Sequence, residues 1–154
     1  MKNLQKNLQL LFSNYGTIEI LEEDEKIILY KFSCDTSKLF EKNSILSCLG
    51  ILNFALLVKS GTTECFIYCF RIGEDKASGN DILELINHIN SSLEYGKYIL
   101  DSEGDINWEY KFDIEHISKE DIYDILKVFI TSLLTFSVHK NELIRKRKQK
   151  EINE

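Results

Sequence analysis

From Ile106 to Ile114 every second residue is apolar: Ile106, Trp108, Tyr110, Phe112 and Ile114 alternate with Asn107, Glu109, Lys111 and Asp113. Successive side chains of a strand point to opposite faces, so this pattern predicts a sheet with one covered face. The period then changes. Ile122, Ile125, Leu126, Phe129, Ile130, Leu133 and Leu134 form the wide apolar stripe of an amphipathic helix. A one-sided strand followed by a one-sided helix is most simply buried by layering the two.

The remaining segments extend the same scheme. Leu4, Leu8, Leu11 and Phe12 recur at helical spacing, which predicts a helix over residues 2–14. Ile18 and Ile20, then Ile28, Tyr30, Phe32 and Cys34, alternate on either side of a turn at Glu22–Glu25, a hairpin pattern. Residues 35–44 read as a loop or one short helical turn. Ile51 to Val58 is apolar on both parities, which suits a doubly buried strand or a buried helix. The turn Lys59-Ser60-Gly61-Thr62 favours the strand, because Glu64 to Ile72 follows with Phe66, Tyr68 and Phe70 on one face and Cys65, Ile67 and Cys69 on the other. Past a polar stretch at Gly73–Gly79, Asn80 is placed to cap a helix with Ile82, Leu85, Ile86, Ile89 and Leu93 on its apolar side. Lys97–Leu100 and the turn Asp101–Gly104 lead into the alternating strand. Ser118 and Asp121 have capping-box spacing, Ile117 and Ile122 staple spacing, at the start of the last helix. No proline or glycine follows Gly104, so that helix runs on into the basic end. The fold class expected is α+β: one antiparallel sheet, ordered helix, three or four strands, helix, two strands, long helix, with the helices packed on one face.

The chain has 154 residues, 44% of them hydrophobic, which suits one domain over residues 1–139 with a basic helical extension or tail at 140–154. The net charge of -6 is unevenly spread. The last fifteen residues set six cations against three carboxylates, a charge of +3, and the rest carries -9. An acidic body repels a phosphate backbone, which disfavours nucleic acid as partner unless the tail alone supplies the contacts. Cys34, Cys48, Cys65 and Cys69 lie among apolar neighbours and read as reduced, buried thiols. With a start, MKNLQKNLQLLF, that lacks the signal-peptide pattern, they point to a cytoplasmic location. The apolar stretch Ile45–Val58 is interrupted and short of the roughly 20 residues that span a bilayer, so no membrane role is expected.

No catalytic, cofactor-binding or metal site stands out. Cys65 and Cys69 lack a Cys-x-x-Cys or His-x-x-x-His partner pair, and His88, His116 and His139 read as surface histidines. Gly96-Lys97 is a helix-to-strand turn rather than a phosphate loop. The acidic runs Glu22–Glu25 and Asp101–Asp105 read as solvated turns, with too few oxygens for calcium. Trp108 sits on the covered parity and reads as core. Arg145 to Lys148 read as cations favoured near a helix C-terminus.

Ile86-Asn87-His88-Ile89-Asn90, Gly96-Lys97-Tyr98, the turn Asp101 to Gly104, and the alternating strand into Ser118 and the last helix carry a resemblance. The stretch from Asn80 to Phe136 resembles the YbjN family of bacterial proteins, which shares its fold with the class I chaperones of type III secretion. The resemblance implies a helix, three-strand, helix, two-strand, helix domain, often dimeric. In the chaperones that domain holds an extended segment of a client protein. No established catalytic role comes with the family, and no functional residue is carried over.

The function expected is therefore a non-enzymatic protein-binding module, chaperone-like or regulatory, acting as a homodimer. The alternative is a regulatory or host-modulating protein that contacts nucleic acid or an acidic protein through its basic tail.

Overall fold

The computed structural model describes residues 2–74 and 80–154. Along the chain run α1 (Lys2–Phe12), β1 (Gly16–Glu23), β2 (Ile27–Asp35), β3 (Ile51–Lys59), β4 (Glu64–Glu74), α2 (Asn80–Ser92), β5 (Lys97–Leu100), β6 (Asp105–Asp113) and α3 (Lys119–Asn153). The strands form one antiparallel sheet in the order β1-β2-β3-β4-β6-β5. The fold is α+β, with four strands rather than three before α2.

Alternation decides what each strand buries. One rung crosses the sheet as Ile28, Val58, Cys65 and Phe112, and the next as Tyr30, Leu56, Ile67 and Tyr110. These residues belong to, or pack against, one core cluster that also holds Leu8 and Phe12 of α1, Ile82 and Ile86 of α2, and Ile122, Phe129 and Phe136 of α3. The helices thus cover a single face. At the centre, Phe129 stacks on Trp108 with centroids 4.2 Å apart and meets Phe54 edge-on at 5.6 Å. Trp108 is fully buried, and its indole N–H donates to the Tyr95 carbonyl at 3.2 Å, so the polar atom is not left without a partner.

Local chemistry fixes the ends of the elements. The Ser118 hydroxyl accepts from the Asp121 N–H at 3.1 Å, while the Asp121 carboxylate accepts from the Ser118 N–H at 2.9 Å, a reciprocal capping box on α3. Asp24 closes the first hairpin by accepting from the Lys26 and Ile27 amides at 2.6 and 2.8 Å. Gly96, at a φ of 75°, lets the chain pass so close to β6 that a methyl group there would collide with the Glu109 carbonyl and the Trp108 indole.

Several expectations are corrected. Cys34, Cys65 and Cys69 are buried, but Cys48 is exposed, because residues 45–49 form a 3-10 turn on the surface rather than part of the core. Leu134 is exposed: the turn of α3 carries it away from the sheet face that buries Ile130. Ile20 is exposed too, beside a register shift between Ile20 and Glu22 on the edge strand β1. Asn80 is already within α2, and most of the polar stretch expected at Gly73–Gly79 lies outside the described residues. Gly73 and Glu74 themselves complete β4. By length and composition α3 could cross a membrane, but its apolar side packs into the core.

Candidate functional site

The face of the sheet turned away from the helices carries an aromatic ladder. Phe66, Tyr68 and Phe70 alternate along β4 with the buried Cys65, Ile67 and Cys69, and their rings stack at 6.2 and 5.3 Å with planes 11° apart. Phe66 and Tyr68 are half-buried, and Phe70 is 57% exposed. Neighbouring strands widen the apolar area with Leu57 opposite Phe66, Ala55 opposite Tyr68, and Leu29 one strand further. Ion pairs on this face join Lys111 with Glu64 at 2.7 Å, Lys97 with Glu109 at 3.5 Å and Lys31 with Glu19 at 3.8 Å. The ammonium groups of Lys59 and Lys111 each lie 5.6 Å from the Phe66 ring centre, near enough for a cation–π attraction. Burial, and then the Glu109 carboxylate, push the Tyr68 phenol above its usual pKa, so it stays a neutral hydroxyl. An apolar centre with a charged rim suits contact with another macromolecule; none of these groups is set against a nucleophile.

On the opposite side of the molecule, α2 and α3 leave a groove of about 620 Å³ between them. Leu85, Ile89 and Val128 line it with apolar surface, and Ser92, Thr131 and Thr135 with hydroxyls. His88 and His139 both line it, although nothing in the sequence relates them. The His139 Nδ1 lies 2.8 Å from the Thr135 carbonyl, which can only accept, so Nδ1 carries the proton. Ser132 donates to the Phe129 carbonyl at 2.6 Å, and its oxygen is therefore the acceptor for the Tyr98 hydroxyl at 2.7 Å. With its proton committed in this way, Ser132 ties β5 to α3 and is not poised as a nucleophile.

The other residues singled out by sequence lie apart. His116 is exposed and bonded to Asp113 at 3.0 Å, away from the groove. Asp101 accepts from the amides of Glu103 and Asp105 and from Asn107, and the amide bonds, that of Asp105 foremost, hold its carboxyl below the usual range; this is the chemistry of a turn. Among the described residues no group of three or more His, Cys, Asp or Glu is placed to hold a metal ion. Both parities of β4 are apolar, so only the packed sheet distinguishes the ladder from the core.

Residues 52–139, from β3 into α3, match the family model YbjN, described as "Putative bacterial sensory transduction regulator". The chain belongs to the YbjN family. The YbjN match takes in both the aromatic ladder and the residues that line the groove, and leaves α1, β1, β2 and residues 140–154 outside it. No curated protein matches the chain. The family's description is that of a regulator.

Proposed function

We propose that this YbjN-family chain is a non-enzymatic regulatory protein that binds another protein on the open face of its sheet, in a chaperone-like manner, and works as a homodimer in the cytoplasm. The observation that carries the reading is the Phe66–Tyr68–Phe70 ladder, large aromatic surface held on a sheet with nothing among the described residues folded over it. Residues 1–139 form the binding domain in this reading, and 140–154 a basic extension of it. Aromatic side chains supply much of the binding energy where proteins meet, because they bury a large area at small cost in side-chain entropy.

The test compares the wild-type chain with Y68E and F70E in capture from a bacterial lysate, with near-ultraviolet circular dichroism as a check on folding. Proteins held by the wild type and released by both folded variants support the reading. Retention unchanged by the substitutions, or no retention at all, defeats it.

Arg145, Lys146, Lys148 and Lys150 are exposed on α3, which favours a second reading in which the tail contacts an acidic surface. Removing residues 140–154 would then abolish binding, with a steep salt dependence if the contacts are phosphates.

A further inference from the structure

We propose that two copies of this chain pair through the outer faces of their α3 helices, running antiparallel, with Leu134 of each copy packed against Val138 of the other. The inference rests on the homodimer reading above and names the surface that reading leaves open. Thr131, Leu134, Val138, Asn141, Arg145 and Lys148 recur at alternating spacings of three and four residues along α3. That is the period of a helix-pairing seam. All six are exposed, and they lie on the opposite side of the helix from Phe129 and Phe136, which are buried. An outermost line is where a solitary helix would be wholly polar, yet its middle holds two large apolar side chains, Leu134 at 40% and Val138 at 51% exposure.

Charge fixes the direction. Asp124 lies on the same line toward the start of α3, and Arg145 and Lys148 toward its end. Parallel pairing would set each of these against its own copy, like charge on like charge. Antiparallel pairing about the midpoint between Leu134 and Val138 sets Asp124 opposite Lys148 and Thr131 opposite Asn141, two polar residues able to share a hydrogen bond. It also brings the basic last fifteen residues of each copy alongside the acidic remainder of the other. One pair, Lys127 with Arg145, is like-charged. The Lys127 ammonium is directed elsewhere, over the rings of Tyr123 and Phe40 at 4.9 and 5.7 Å. The helix is long enough for this overlap: 35 residues reach about 52 Å.

Light scattering over a range of protein concentrations, on the full chain and on variants at these exposed positions, tests the pairing. The expected result is twice the chain mass for the wild type, a return to monomer mass for V138K, D124K and K148D, and recovery of the dimer in D124K/K148D, where the opposite charges face each other again. In a C48S background, a mixture of T131C and N141C should form a disulfide-linked dimer on oxidation, and neither protein alone should. A monomer at every concentration overturns both this inference and the homodimer reading. A dimer that V138K and D124K leave intact overturns this inference alone, and cross-linking of T131C with itself overturns the antiparallel direction.

Discussion

Arg147, near the end of α3, grips the carboxylate of Asp81 in the first turn of α2; its Nε donates to Oδ2 at 2.9 Å, and a second guanidinium nitrogen reaches Oδ1. The far end of the long helix is thereby fastened to the start of the other, with Leu143 packed against the core between them. Hydrogen bonding from Arg147 holds the Asp81 carboxyl below the usual range. A carboxyl lowered in the folded state adds stability above its unfolded value, about 3.9, and that contribution fades as pH falls through the folded value. Both side chains are partly exposed, at 25% and 35%, so water screens the pair. R147A should cost about 0.5–1 kcal/mol at pH 7. Urea denaturation repeated near pH 3 should find the penalty much reduced.

Phe129 is the residue on which the core turns, since its ring touches Trp108, Phe54 and Tyr98 together. F129A should destabilise the fold by about 3–5 kcal/mol, the loss of a large buried ring plus the void left behind. Trp108 is the only tryptophan, so its fluorescence in a denaturant titration reads the change at the site itself.

Arg71 adopts a φ of 53° at the register shift between Cys69 and Gly73 in β4, with its amide donating to the Asn107 side chain at 2.9 Å. A β-branched side chain is strained in that conformation and glycine is not. R71V should therefore be less stable than R71G by about 1–2 kcal/mol. Thermal unfolding of the two variants side by side checks the order, and the ion pair of Arg71 with Asp105 is absent from both.

The four thiols should separate by accessibility. Burial raises the Cys34 and Cys69 thiols to about 12 and pushes Cys65 up as well, whereas Cys48 is exposed. Thiolate is the reacting species, so an aromatic disulfide reagent at pH 8 should modify one group quickly in the native protein and all four after denaturation. C48S should remove the fast phase and leave the slow one.

The order of elements was legible in the sequence wherever a period was unbroken, as in Ile106–Asp113 of β6, or a cap was spelled out, as in Ser118 and Asp121 of α3. What sequence could not provide was sidedness. β4 is apolar on both parities, and only the rungs with β3 and β6 show that Cys65, Ile67 and Cys69 face the helices while Phe66, Tyr68 and Phe70 do not. Leu134 belongs to the apolar stripe of α3 by spacing, yet it lies past the edge of what the sheet can cover. The groove was equally hidden, because His88 and His139 belong to different helices and line one space only when α2 and α3 pack.

The central neighbours β4 and β6 are separated in the chain by α2 and β5. On the ribosome the first four strands would therefore emerge with β4 as a bare margin, its amides and carbonyls available to any similar strand nearby. Until residue 113 is synthesised, the nascent polypeptide is open to edge-to-edge aggregation, and fragments ending before β6 should be insoluble when expressed.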